Sequence, residues 1–218
     1  MSGEGARAIA WDVDGTLVDS EPLHLRALLA SCAEHGVDVS DLPDPAFVGV
    51  HLDDVWVALA ERFPATLSKD RWRDELNDYY HAHAHSLALM PGAREVVARF
   101  AGQGLAQGAV SNSHRAVVDA NLRATGLEQW MAFSVSFDDV AHGKPSPEPY
   151  RQALRRMALQ PAAVLAVEDS NTGLQSARAA GLVTVGYAPN GEALVGADFL
   201  IRHLEELLDL VVYRNSAD

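Results

Sequence analysis

Two carboxylates spaced two residues apart are the first feature of this sequence that could carry chemistry. Asp12 and Asp14 lie in the run DVDGT, which directly follows the apolar, β-prone segment AIAW. At the carboxyl end of a strand both side chains can face one site once the chain turns, and Gly15 permits that turn. One carboxylate could then attack a substrate while the other moves protons.

A second acidic pair, Glu168-Asp169, ends the apolar segment VLAV. Neighbouring carboxylates repel each other, so a shared cation is the natural way to keep them ionised. Asp12, Asp169 and the backbone carbonyl of Asp14 would supply the oxygen ligands that Mg²⁺ prefers, with water and a substrate phosphate completing an octahedron. The sequence therefore predicts Mg²⁺ as the cofactor.

Groups suited to phosphate follow in two further places. Ser111 and Asn112 end the segment AQGAV, and Ser113 can cap the next helix, whose free N–H groups bind anions. Lys144 precedes a proline that favours extended backbone, and a fixed ammonium could neutralise charge on a transferring phosphoryl group. Taken singly, these residues could be an ordinary helix cap and a loop lysine.

Short apolar segments alternate with helical patterns, which is typical of a parallel α/β sheet. Strands are predicted at 8–11, 106–110, 133–136, 164–167, 183–187 and 198–201, and helices at 94–104, 114–126, 147–158 and 171–181. Residues 21–88 instead form successive amphipathic helical patterns with no convincing strand. The prediction is a Rossmann-like, three-layer α/β core of residues 1–18 plus 89–218, with an all-helical domain of residues 19–88 inserted through connections near 17–20 and 87–91.

In chain order, DVDGT, SNS, GKPSPEPY and EDSNTG resemble the four motifs of the haloacid dehalogenase superfamily. The helical insert resembles the family's cap domain of the first type. The run DSEPLH and the Pro91-Gly92 pair are similar to the beta-phosphoglucomutase-like branch, which also contains sugar-phosphate phosphatases. The resemblance spans all 218 residues.

Carried over by position, the resemblance implies a role for each motif residue. Asp12 would be the nucleophile that forms an aspartyl-phosphate, and Asp14 the general acid and then base. Ser111 and Lys144 would contact the phosphoryl group. The implied metal ligands are Asp12, Asp14 through its carbonyl, Asp169 and, because family members vary in which acid touches the metal, Glu168.

Substrate contacts are expected from residues at the phosphate loops and in the cap. These candidates are Asn112, Ser113, Gly15, Thr16, His24 and His51. The DSEPLH start favours a small sugar phosphate, although no particular metabolite can be read from these residues.

The leading hypothesis is a phosphatase acting on a small phosphorylated metabolite. A hexose phosphate mutase is the alternative. A mutase must bind a second phosphate in the cap, which requires an Arg or Lys there. Neither GVHL (49–52) nor ELNDYYHAHAHS (75–86) has one at the expected places. A dehalogenase lacks the second acid, Asp14. A phospho-acceptor signalling module is shorter and has no helical insert.

The composition limits the partners. The net charge of −13 would repel a nucleic-acid backbone, and no run of about 18 apolar residues suggests a membrane span. The expectation is a cytoplasmic protein, a monomer or weak homodimer, with neither nucleic acid nor membrane as a partner.

Overall fold

The computed structural model describes residues 5–43, 47, 50 and 52–216. The chain divides into two compact units. One contains Met1–Asp19 and Ala88–Asp218, and the other contains Ser20–Leu87. They are called the core unit and the helical unit below.

A six-stranded sheet forms the centre of the core unit. Its strands are β1 (Ala8–Trp11), β4 (Ala106–Val110), β5 (Phe133–Val135), β6 (Val164–Glu168), β7 (Val183–Tyr187) and β8 (Phe199–Ile201). All neighbours are parallel, in the order β5-β4-β1-β6-β7-β8. Because β1 and β6 are buried on both faces, their sequences are apolar without alternation, apart from Glu168 at the end of β6.

Helices flank this sheet. They are α4 (Ala93–Gly102), α5 (Arg115–Thr125), α6 (Glu148–Met157), α7 (Asn171–Ala179) and α8 (Glu206–Ser216). The apolar faces of α6 and α7 pack with Ala8 and Ala10 of β1, whereas Trp11 lies 6.3 Å from the ring of Phe100 on α4. The predicted parallel α/β core with flanking helices is confirmed.

The helical unit contains α1 (Glu21–Glu34), α2 (Leu52–Leu59) and α3 (Lys69–His83), with short 3₁₀ turns at Ala60–Arg62 and Ala84–Ser86. Its own apolar core includes three large rings. Trp56 lies 5.1 Å from Trp72 and 5.8 Å from Phe63, measured between ring centroids. The amphipathic patterns of this segment therefore bury their apolar faces against one another.

Two elements differ from the sequence prediction. A short antiparallel pair, β2 (Val18–Asp19) and β3 (Ala88–Leu89), occupies positions predicted as connections and helix. Two-residue strands carry too little periodicity to be recognised. The last helix, α8, was not predicted. None of the described helices is long and apolar enough to span a membrane.

Candidate active site

Three adjacent strands bring the predicted residues to one edge of the sheet. β1 is paired with both β4 and β6, and all three run in the same direction. Asp12, Ser111 and Asp169 each follow directly on the last residue of one of these strands. The carboxyl ends of parallel strands form the edge at which ligands bind in such sheets.

Lys144 links two of the carboxylates. Its Nζ donates to Asp12 Oδ1 at 2.6 Å, to Glu168 Oε1 at 2.6 Å and to the Val110 carbonyl at 2.8 Å. Lys144 is 8% exposed and Glu168 is fully buried. All three ammonium protons therefore have acceptors, as a buried charge requires.

The charged groups of this site shift one another's pKa values. Burial acts to lower the pKa of Lys144, but the carboxylates of Asp12 and Glu168 outweigh it and hold that pKa above its usual value, so the side chain is an ammonium. Burial raises the pKa of Asp12 well above its usual value, although Lys144 acts in the opposite direction. Burial and the nearby Glu168 raise the pKa of Asp169 to about 7.

The same acids are suited to a divalent metal. Carboxylate oxygens of Asp12, Glu168 and Asp169 lie within 4.8 Å of one another. If all three carboxylates were ionised, they and the Lys144 ammonium would together carry a charge of −2, which is what raises the cost of ionising them without a metal. Hard oxygen donors and this excess of negative charge match a divalent cation.

The Asp14 carboxylate lies among a different set of partners. Its Oδ2 accepts hydrogen bonds from the hydroxyls of Ser111 and Ser113, both at 2.9 Å. Its Oδ1 accepts one from Asn121 Nδ2 at 2.8 Å. Asp12 and Asp14 therefore have separate environments, one beside an ammonium and one among neutral donors.

Asn112 connects the loop after β4 to the loop that carries Lys144. Its Nδ2 donates to the Lys144 carbonyl at 3.0 Å, and its Oδ1 accepts the Lys144 backbone N–H at 2.7 Å. This two-point contact fixes the backbone of Lys144. Its predicted role in substrate binding stays a prediction, because the described contacts of the side chain are to backbone.

Gly15 and Thr16 lie against Asp169. Gly15 has a φ of +81°, and a Cβ there would lie 2.2 Å from Asp169 Oδ2, so no larger residue fits. The buried Thr16 donates its hydroxyl to Asp169 Oδ1 at 3.4 Å. Both residues therefore shape the position of a candidate metal ligand, and their predicted contact with substrate remains untested.

The predicted histidines belong to the helical unit. The ring of His24 lies 4.6 Å from that of Tyr80. His51 lies outside the described residues. Both remain predictions for substrate contact.

Sequence reasoning missed two residues that contact the site. Asn121 is a fully buried polar residue on the apolar face of α5, beside Val117 and Val118, and that mismatch was a usable signal. Tyr150 on α6 donates its hydroxyl to Glu168 Oε1 at 2.5 Å. Tyr150 is the last residue of the motif GKPSPEPY, so the motif contained the signal, but the sequence analysis assigned no role to this tyrosine.

Comparisons with known proteins agree with this geometry. The family model described as haloacid dehalogenase-like hydrolase matches residues 9–187. Phosphoglycolate phosphatase from Cupriavidus necator is 32% identical over 212 residues, which cover 92% of this chain and 90% of that protein. Hexitol phosphatase B from Escherichia coli is 32% identical over 219 residues, which cover 92% of this chain and 93% of that protein.

Among solved structures, CbbY from Rhodobacter sphaeroides in complex with phosphate is similar with a TM-score of 0.81 and 28% identity, covering 93% of this chain and 96% of that one. The family model includes the strands and loops that bring Asp12, Ser111, Lys144 and Asp169 together. The resemblance inferred from the four motifs is thus confirmed, and this chain belongs to the haloacid dehalogenase-like hydrolase family.

Proposed function

We propose that this protein is a Mg²⁺-dependent phosphatase that hydrolyses a small phosphorylated metabolite through an aspartyl-phosphate on Asp12. The observation that carries the proposal is the separation of two carboxylates at one sheet edge. Asp12 accepts a hydrogen bond from the buried ammonium of Lys144, and Asp14 accepts hydrogen bonds from two serine hydroxyls. A nucleophile needs the first environment, and an acid and base needs the second.

In the first half of the reaction a carboxylate oxygen of Asp12 attacks phosphorus in line. The bond between phosphorus and the ester oxygen breaks as the new bond to Asp12 forms. The proton on Asp14 passes to the leaving oxygen, which departs as a neutral alcohol. Asp14 is left as a carboxylate.

In the second half Asp14 takes a proton from water, and the resulting hydroxide oxygen attacks the same phosphorus. The bond between phosphorus and Asp12 breaks, so the Asp12 carboxylate and inorganic phosphate are released. Asp14 has regained its proton. The cycle therefore consumes one water and needs no other reactant.

Charge on the phosphoryl group is offset by groups of this chain. The Ser111 hydroxyl would donate to a phosphoryl oxygen in place of Asp14, and the Lys144 ammonium would do so in place of one of its three present acceptors. Asp12, Asp169 and the Asp14 carbonyl would hold Mg²⁺, which supplies a positive charge that stabilises the phosphoryl oxygens. Glu168 was predicted as a further ligand; its Oε1 already accepts from Lys144, and we propose that its main role is to hold that ammonium.

The proposed substrate class is a small sugar phosphate or a related hydroxy-acid phosphate. Two relatives are named for phosphoglycolate and hexitol phosphates, both of which are alkyl phosphates with an alcohol leaving group. The net charge of −13 favours a small anion, whose charge the Lys144 ammonium and the proposed Mg²⁺ would offset, over a polyanion.

The helical unit argues against the mutase alternative. It contains five Lys or Arg residues, and four of them are in ion pairs, namely Arg62 with Asp41, Lys69 with Asp53, Arg71 with Glu75 and Arg73 with Asp70. The fifth, Arg26, donates to the Ser86 hydroxyl at 2.7 Å. A mutase needs cations for a second phosphate, and these side chains are already engaged.

The test is phosphate release from 2-phosphoglycolate, sorbitol 6-phosphate and β-glucose 1-phosphate. Wild type is compared with Asp12→Asn and with Asp209→Asn, a matched control because Asp209 is exposed on α8. We expect release that requires Mg²⁺, stops in EDTA and disappears only in Asp12→Asn. Intact-mass spectrometry of acid-quenched wild type should detect one added phosphoryl group.

Two results would contradict the proposal. Phosphate release that persists in Asp12→Asn would remove the nucleophile from the mechanism. Conversion of β-glucose 1-phosphate to glucose 6-phosphate without net phosphate release would instead identify a mutase.

A further inference from the structure

A buried amide at the back of the site is not explained by the four motifs. Asn121 is fully buried in the middle of α5, among apolar residues such as Val118 and Leu122. Packing alone would favour an apolar side chain at that position, because a buried amide is unfavourable unless it is hydrogen-bonded. Its Nδ2 donates to Asp14 Oδ1 at 2.8 Å.

The three donors to Asp14 are not equivalent. A serine hydroxyl has one proton to donate, and the hydroxyls of Ser111 and Ser113 both donate to Asp14 Oδ2. If Ser111 is to donate to a phosphoryl oxygen, as proposed above, its hydrogen bond to Asp14 must break. Asn121 is carried by a packed helix on the Oδ1 side, so its hydrogen bond can persist while the serine hydroxyls reorient.

The two oxygens of Asp14 can therefore have different roles. Oδ2 faces the serine hydroxyls of the proposed phosphate loop and can carry the proton once these hydroxyls no longer donate to it. Oδ1 can accept the Asn121 amide both as a carboxylate oxygen and as the carbonyl oxygen of the protonated acid. One fixed donor thus keeps the carboxyl plane oriented through both halves of the cycle.

We propose that Asn121 is a positioning residue that orients Asp14 for proton transfer to the leaving alcohol. This inference rests on the proposed phosphatase function. It predicts a defect that depends on the leaving group. An alkyl phosphate needs protonation of the departing oxygen, whereas p-nitrophenyl phosphate releases a stable phenolate without it.

The experiment compares kcat/KM for sorbitol 6-phosphate, 2-phosphoglycolate and p-nitrophenyl phosphate in wild type, Asn121→Leu and Asp14→Asn. The ratio kcat/KM reports only the steps up to loss of the leaving group. Slow hydrolysis of the aspartyl-phosphate therefore does not change this ratio. General acid catalysis contributes about 10²–10⁴-fold. With the acid misaligned, Asn121→Leu should lose about tenfold on the alkyl phosphates and less than about twofold on p-nitrophenyl phosphate.

Thr125→Val is the matched control. Thr125 lies one turn further along α5, and its buried hydroxyl donates to the Asn121 carbonyl at 2.6 Å, away from Asp14. This variant removes a buried polar group from the same helix without touching the Asp14 carboxylate. Its kcat/KM values should match those of wild type on all three substrates, and thermal unfolding checks that both variants are folded.

The outcomes separate the two proposals. Equal losses on alkyl and aryl phosphates in Asn121→Leu would mean a general structural effect and would overturn the positioning role while leaving the phosphatase intact. Unchanged or faster turnover of alkyl phosphates would overturn it too, because Asn121 would then hold Asp14 in an idle position. A wild-type protein that releases no phosphate would overturn both.

Discussion

The two acidic pairs of this protein lie on neighbouring strands and behave differently. Asp12 and Asp14 follow β1 with one residue between them, and Glu168 and Asp169 stand side by side at the end of β6. The first pair is divided between an ammonium and a set of neutral donors. The second pair stays together and concentrates negative charge.

The turn at Gly15 accounts for the first arrangement, because it directs the Asp14 side chain toward Asn121 on α5. Carboxylate oxygens of Glu168 and Asp169 lie within 4.8 Å of each other and of Asp12, and both residues raise the pKa of Asp12 by repulsion in addition to the larger effect of burial. We infer that the first pair carries the chemistry and the second provides the charge that holds a metal and Lys144.

The largest expected effect compares one acid of each pair. Asp12→Asn should lower kcat on the order of 10⁴-fold at any Mg²⁺ concentration, because the attacking atom is lost. Asp169→Asn should also be inactive at low Mg²⁺, but raising Mg²⁺ should restore part of its activity, because its apparent affinity for the metal falls by at least about tenfold. Steady-state rates over a Mg²⁺ titration measure both.

Equal rescue of the two variants by Mg²⁺ would break the distinction between a chemical pair and a charge-holding pair. Asp209→Asn on the surface of α8 serves again as the matched control, and its Mg²⁺ dependence should equal that of wild type.

A smaller effect is expected for Asp169→Asn on the free energy of unfolding of the metal-free protein. The pKa of Asp169 is about 7 in the folded protein, against an ordinary value of 3.8. Between these values the folded protein binds more protons than the unfolded chain, so this acid lowers the free energy of unfolding as pH rises through the window. In EDTA, Asp169→Asn should therefore be more stable than wild type near pH 8, by up to about 4 kcal/mol, and about equal near pH 4.

Urea unfolding of both proteins across this pH range gives the difference directly. Adding Mg²⁺ near the upper end should stabilise wild type more than the variant. A difference that is flat with pH, or that grows as pH falls, would show that repulsion at Asp169 does not shape the stability of the metal-free protein.

The smallest effect is expected for Tyr150, whose hydroxyl donates to Glu168 of the second acidic pair. Tyr150→Phe removes one hydrogen bond to Glu168, which still accepts from Lys144. We expect a loss of about 1–2 kcal/mol in the free energy of unfolding and a fall in kcat/KM of less than about tenfold, because Lys144 keeps its contact with Asp12.

Thr184→Val is a matched control for that variant. Thr184 lies on β7, and its buried hydroxyl also donates to a carboxylate oxygen, Asp198 Oδ2, at 2.9 Å. It should lose similar stability with no change in kcat/KM. A defect in Tyr150→Phe as severe as that of Asp12→Asn would mean that Glu168 cannot hold Lys144 without the tyrosine.

Much of the core could be predicted from the sequence because its signals are local. The strands at 8–11, 106–110 and 183–187 agree residue for residue with the structure, since each is a short, mostly apolar and largely buried run between helical patterns. The four helices predicted for the core agree within about two residues, as their amphipathic faces and terminal breaks are visible in the chain, whereas α8 was not predicted. The β2–β3 pair was not predicted, because strands of two residues each show no periodicity in the sequence.

The sequence by itself also determined which motif residues gather at one edge, because parallel strands must place their carboxyl ends together. What it left undecided was the partner of each side chain. Only the tertiary structure separated Asp12, beside Lys144, from Asp14, beside Asn121. Residues 107 positions apart or more in the chain meet there through the packing of α5 and the loop before α6, and such contacts leave no local pattern.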